Sequence, residues 1–334
     1  MLKKHCALRK LIHQLKNIIQ LISSQLSVDQ YIFITKRKQI LPFYHTVSNH
    51  PQPHFSELAY YRTMNNFIDD LQFFTTYYHS VDVQNIGSHT KSFHLSFDDG
   101  MSQIYTEIFP LLKEKNIDAT FFINQDFVDN KKMFSSHKRS LLIYEFKNSH
   151  RSREILTDYL DNDEKKCLKK IQETKDEKTL AEIAAKISFS FENYLNEVKP
   201  YVTLTQLQEI CKAGFSIANH GKAHINFSQL TFEEQKSEIF LVNEFLKANS
   251  LAEKFYFCFP YGGDKIDKNL FDWMYTEAGI EKSYGIAGLK NDYFAKHYHR
   301  ILMERGDLTA EEIIKFEYLY YILKFFIGKN SIRR

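Results

Sequence analysis

The sequence predicts an α/β fold built on a parallel sheet, and three observations predict it. Short apolar strand patterns alternate with helical patterns between about residues 31 and 127, and again from about 201 to 305. Strand–helix–strand at this spacing implies right-handed crossovers between parallel strands. Three strand ends then deliver polar groups: Asp98 and Asp99, His220 with His224, and Pro260 with Tyr261. In a parallel α/β barrel all such junctions lie on one face, so residues far apart in sequence converge there.

The elements follow in order. Leu8, Leu11, Ile12, Leu15, Ile18, Ile19 and Ile22 recur at helical spacing, so residues 1–38 read as an amphipathic helix and lead-in. Such a helix either packs on the body or docks on anionic lipid. QILPFYHTVS reads as a strand that leaves His45 at its C-terminal end. In SFHLSF, Phe93, Leu95 and Phe97 alternate with His94 and Ser96, the period of a strand, and the run ends in Asp98-Asp99-Gly100. A helix over about 102–115 and the strand IDATFFIN come next.

Residues 129–200 depart from this pattern, with 15 Lys/Arg and 13 Asp/Glu among 72 residues. Leu180, Ile183, Ala184 and Ile187 still recur helically, so the segment reads as a helical insertion into a body spanning 39–310. It either covers the mouth of a site or is a solvated elaboration. GFSIANH then forms a strand ending at His220. Thr231 and Glu234 make a capping box that opens a helix through about Lys247. KFYFCFPYGG is an aromatic strand running into a turn. A helix at about 268–278 and the strands SYGIAG and HRILME follow. Residues 311–334 read as an aromatic helix with a basic tail.

Composition excludes several classes. With 43% hydrophobic and 25% charged residues the chain is globular rather than disordered. No run of 18 apolar residues supplies a conventional spanning helix. The net charge of +3 is concentrated at the ends, in Lys3, Lys4, Arg9, Lys10 and Lys16 and in Lys315, Lys324, Lys329, Arg333 and Arg334. The slightly acidic body between them argues against a broad nucleic-acid surface, whereas the ends suit peripheral membrane contact. Cys6, Cys167, Cys211 and Cys258 are widely spaced, and Arg9, Lys10 and Lys16 interrupt the N-terminal apolar run. Both features fit reduced thiols in a cytoplasmic setting, free or membrane-associated.

Two adjacent carboxylates after an apolar strand are costly unless a cation or hydrogen bonds hold them. The alternative is an ordinary strand-end turn. His220 and His224, at i and i+4, lie in a loop and lack the Glu of the zincin helix. Joined by an aspartate from another strand end, they make a His₂Asp set with room for a fourth ligand, the pattern of a hydrolytic zinc site.

SFDDG, HGKAH and FCFPYGG, in this order, resemble the polysaccharide deacetylase family, the NodB-like carbohydrate esterases, over roughly 39–127 and 201–305. The resemblance implies a distorted (β/α) barrel, commonly of seven strands. It also implies a metal-dependent hydrolase that removes an N-acetyl group from a sugar of a polysaccharide or glycolipid, such as a cell-envelope glycan. Carried over residue by residue, Asp98 is the catalytic base, and Asp99, His220 and His224 hold a divalent metal, for which zinc suits the donors. Tyr261, through its backbone N–H, and Pro260 meet the substrate. Three departures stand out. Gly221 replaces a Ser or Thr that braces the histidine loop. Cys258 replaces an arginine that pairs with the base. KHYHRIL lacks the Leu-x-His of the late general acid, which leaves His299 or His45 for that role. Two alternatives accompany this reading: a deacylase or deformylase of a lipid-linked sugar at the membrane surface, and a catalytically silent glycan-binding protein on the same fold.

Overall fold

The computed structural model describes residues 24–334 apart from 59, 60 and 89, so the apolar stripe of residues 8–22 lies outside the described residues. Helix α1 (Val28–Thr35) opens the described chain. Its start is fixed by a capping box, in which the Ser27 hydroxyl accepts from the Gln30 N–H and the Gln30 side chain accepts from the Ser27 N–H.

Eleven short strands follow among the described residues: β1 (Gln39–Ile40), β2 (Pro42–Tyr44), β3 (His79–Ser80), β4 (Ser92–Phe93), β5 (Leu95–Phe97), β6 (Ala119–Ile123), β7 (Ser216–Asn219), β8 (Phe255–Cys258), β9 (Ile280–Gly285), β10 (His297–His299) and β11 (Ile301–Leu302). Eight of them form one parallel sheet in the order β10-β9-β8-β7-β6-β5-β2-β11. The outermost two are consecutive in sequence, separated only by Arg300. β10 pairs with β9, and β11 pairs with β2, so this one segment joins both ends of the sheet and closes the barrel. The barrel sheet thus has eight strands where seven are expected, because Arg300 divides the closing segment into β10 and β11.

QILPFYHTVS and SFHLSF each divide between two sheets. β1 and β4 join β3 in a small side sheet, while β2 and β5 continue into the barrel. The alternation in SFHLSF does not separate core from solvent, because His94 and Ser96 are as buried as the phenylalanines. It separates the two faces of a barrel wall. Tyr44, Phe97 and Phe121 stack outward at 5.4–5.6 Å and meet Phe67 on α2 (Met64–Tyr77). Burying each such ring contributes about 1.5–3 kcal/mol. Phe43, Ser96 and Asp98 face the interior, where Arg300 lies.

The segment at 129–200 is helical: α3 (Ser135–Asn148), α4 (His150–Leu160), α5 (Glu164–Glu173), α6 (Glu177–Lys186) and α7 (Phe191–Val198). Ser149, Asp163, Asp176 and Ser190 cap the last four. Leu142, Phe146, Leu156, Cys167, Ile171, Leu180 and Ile183 give it a core of its own. Its neck is clamped where the Asn130 amide donates to the Tyr201 carbonyl (3.0 Å) and accepts from the Tyr201 N–H (2.9 Å).

The Thr231–Glu234 capping box opens α8 (Phe232–Ala248) as the sequence predicts. The final helix, α9 (Ala310–Phe326), is shorter than expected. Gly328, at φ +66°, turns the chain back, and residues 330–332 pair with Asn291. The Arg334 side chain is buried on Asp292 (2.8 and 3.0 Å) and lies 3.9 Å over the Phe271 ring. Part of the basic tail is therefore neutralised inside the fold. Among the described residues no helix is long and apolar enough to cross a membrane.

Candidate active site

Asp98 and Asp99 leave the C-terminal end of β5, His220 follows β7, and Tyr261 follows β8. These ends open on one cavity of about 490 Å³, lined among others by His45, Asp98, Asp99, His220, His224 and Tyr261. Asp99, His224 and Tyr261 all take left-handed backbone angles (φ 73°, 53° and 59°), as does Gly221 (φ 79°). Such angles are uncommon for residues with a Cβ and cluster where the surrounding structure holds a site in shape.

Asp99 Oδ1 lies 3.2 Å from His224 Nε2 and 3.5 Å from His220 Nε2. Ligand atoms on a tetrahedral ion at ~2.1 Å stand about 3.4 Å apart, so these spacings suit a shared cation. The protonation pattern agrees. His220 Nδ1 donates to the Cys258 carbonyl at 2.9 Å, which points Nε2 at Asp99 and, at 3.9 Å, Asp98. Against burial, the nearby carboxylates raise the ring's pKa well above its usual value, so this nitrogen takes either a proton or a cation. A lone pair facing carboxylates is repulsive without a proton or a cation between them. Asp99 Oδ1 is moreover buried without a hydrogen-bond partner among the described residues. The three residues thus fit a metal. A second carboxylate–imidazole group, Asp292 with His297 and His299, differs in that Arg334 already occupies both oxygens of Asp292.

Asp98 is almost wholly buried. Arg300 donates to both of its oxygens at 2.7 Å, to Ser96 Oγ at 2.9 Å and to Cys258 Sγ at 2.6 Å. Burial pushes the Asp98 carboxyl up, but the Arg300 guanidinium, together with His220 and His45, holds it below its usual range. Arg300 corrects the expectation raised by Cys258. The arginine absent from β8 is supplied by the closing strand, and the small thiol leaves room for it.

The missing hydroxyl at Gly221 is also replaced. Glu238 Oε2 accepts from the Lys222 and Ala223 N–H groups (2.7 and 3.0 Å), and the Asn124 amide donates to the His220 and Gly221 carbonyls. These bonds brace the loop between the two histidines.

The two acid candidates part company. His45 lines the cavity, with Nδ1 donating to the buried Glu304 carboxylate at 2.6 Å. The His45 and Thr46 N–H groups donate to the other oxygen of Glu304. Burial opposes protonation of His45, but Glu304, with Asp99 and Asp98 adding to it, overcomes it and raises the pKa to about 9. His299 does not reach the cavity. Its neighbour Arg300 points inward, so strand alternation turns His299 outward, onto Asp292 at 3.2 Å. Pro260 is not in the cavity wall either; it is buried beside Gly221.

Sequence reasoning missed Arg300 and Glu304. Their signal was the two-residue period of Arg300, Leu302 and Glu304 in the last strand segment, all three turned toward the site.

The polysaccharide deacetylase family model matches residues 85–281, more than half of the chain. The chain belongs to the polysaccharide deacetylase family. It is accordingly a hydrolase of carbon–nitrogen bonds in acetylated sugars. A search of curated proteins finds no match. Solved structures do resemble it in fold. The Streptococcus pyogenes deacetylase PplD, solved with acetate, is 13% identical, with 83% of this chain and 97% of that one covered at a TM-score of 0.53. IcaB from Ammonifex degensii is 16% identical, covering 84% and 97% at 0.52. A de-N-acetylase from Aggregatibacter actinomycetemcomitans is 15% identical, covering 83% and 99% at 0.52.

Proposed function

We propose that this polysaccharide deacetylase is metal-dependent and removes an N-acetyl group from a sugar of a polysaccharide or glycolipid, with Asp98 as base and His45 as acid. The observation that carries the reading is that His220 and His224 both bring Nε2 within 3.5 Å of Asp99 Oδ1, beside a carboxylate that Arg300 keeps ionised. Asp99, His220 and His224 would hold the cation, with zinc favoured by the donor set. When bound, it would polarise the acyl carbonyl and acidify a water.

The protein's own groups account for the proton movements. Asp98, ionised, takes the proton of the attacking water. The Tyr261 N–H, at the head of a turn that also lines the cavity, donates to the oxyanion as it develops. His45, kept protonated by Glu304, gives its Nε2 proton to the departing amine. The products are acetate and a free amino sugar. Two of the named structural neighbours are deacetylases by title, one with acetate bound, which supports acetyl as the group removed.

The test is acetate release from a panel of N-acetylated oligosaccharides. Turnover that is lost on chelation, restored by zinc and abolished in Asp98→Asn is the expected result. A protein that holds no divalent metal, or turns over equally well as Asp99→Ala, would refute it.

A second reading keeps the chemistry but places it on a lipid-linked sugar at a membrane surface. It is favoured by the exposed Leu323, Phe325, Phe326 and Ile327 at the end of α9, next to Lys324 and Lys329. Activity that rises with anionic vesicles would select it, and activity indifferent to them would select the first.

A further inference from the structure

We infer that His137, contributed by the helical insertion, is a substrate-positioning residue whose Nε2–H binds a hydroxyl of the acylated sugar in the catalytic cavity. The inference rests on the deacetylase reading and adds to it the group that grips the sugar itself.

His137 lies in the first turn of α3 and is only 4% exposed, yet it lines the cavity that holds Asp98 and Asp99. Its Nδ1 is 2.7 Å from the Tyr201 hydroxyl. That hydroxyl already accepts from the Phe134 N–H at 3.1 Å. A buried tyrosine has one proton to give, and withholding it would waste a hydrogen bond. The hydroxyl therefore donates to Nδ1, which makes Nδ1 an acceptor and puts the ring proton on Nε2.

Nδ1 is turned back onto Tyr201, which leaves Nε2–H as the ring's free donor in a residue that lines the cavity. No protein acceptor for it is found among the described residues. Burial lowers the ring's pKa to about 3, so the donor stays neutral at working pH. The ring cannot tilt away, because it stacks on Tyr201 at 11° and lies against His54 and Phe134.

The rest of the wall makes such a donor informative. Beyond the catalytic groups, much of it is apolar, including Phe43, Phe55, Leu58, Met101, Phe259 and Ile286. An apolar cavity with a few fixed polar groups takes its specificity from those groups. A neutral, tautomer-locked N–H suits a hydroxyl oxygen. It also gives the insertion a role, since this part of the wall comes from α3 and not from the barrel.

The experiment compares two substrates in His137→Phe and His137→Gln, the glutamine offering an N–H near the place of Nε2. With an N-acetylglucosamine oligosaccharide, His137→Phe should raise KM by roughly tenfold while kcat changes far less, and His137→Gln should restore part of the loss. With p-nitrophenyl acetate, which has an acyl group but no sugar, kcat/KM should fall at least fivefold less than with the oligosaccharide. Equal losses on both substrates would mean a role at the acyl group or in folding, and would overturn the inference. Calorimetric binding of the oligosaccharide to the Asp98→Asn protein with and without His137→Phe decides the matter independently of turnover. Equal affinities would overturn it, even if the deacetylase reading holds. Nitrogen NMR of the wild type should report the Nε2–H tautomer, and an Nδ1–H ring would be equally fatal.

Discussion

Arg300 holds Asp98 by two parallel hydrogen bonds of 2.7 Å, across 202 positions of sequence and with both side chains buried. The pair sits where the last strand segment breaks between β10 and β11, so the residue that interrupts the ladder is the one that reaches into the barrel. Closure of the fold and ionisation of Asp98 are therefore tied to one side chain.

Removing Arg300 should harm both. Arg300→Met leaves a buried carboxylate unpaired, which costs about 3–5 kcal/mol and is measurable by urea unfolding. The sign with pH follows from the lowered Asp98 pKa. A carboxyl depressed in the folded state stabilises the protein above its unfolded pKa, and this is lost as pH falls through the folded value. Without Arg300 the acid limb of kcat/KM should move to higher pH.

As the proposed acid, His45 with Glu304 should set the other limb. An acid must be protonated, so activity should fall as pH rises through about 9. Glu304→Gln removes the negative partner and should shift the alkaline limb of the pH–rate profile to lower pH. His299→Ala, away from the cavity, should leave that limb in place.

Asp99→Ala, His220→Ala and His224→Ala should each abolish metal retention in elemental analysis, with turnover falling by at least about 10²-fold. Asp98→Asn should keep the metal and lose turnover by about 10²–10⁴-fold. The contrast separates the two adjacent aspartates.

Glu238→Ala frees two backbone N–H groups in the loop between His220 and His224. The loop should loosen without global unfolding, and metal affinity should fall about 10–100-fold in competition with a chelator.

The sequence alone determined the parallel α/β class, the strand ends at Asp98, His220 and Tyr261, and the character of the 129–200 segment as helical. These are local properties, legible because hydrophobic period and turn residues act over a few positions. It misjudged the lengths of the terminal helix and of two strands. Gly328 and a folded-back tail end the first, while the second pair divides between two sheets, and neither leaves a mark in the period.

Only the tertiary structure decided which distant groups meet. Cys258 looked like a lost arginine until closure of the barrel brought Arg300 to it. Gly221 looked like a lost brace until Glu238 and Asn124 supplied one. His45 and His299 were equal in sequence and differ because alternation along a closed sheet turns one inward and the other away. Pairing between strands far apart in the chain is set by how the sheet closes, and no window of sequence carries that information.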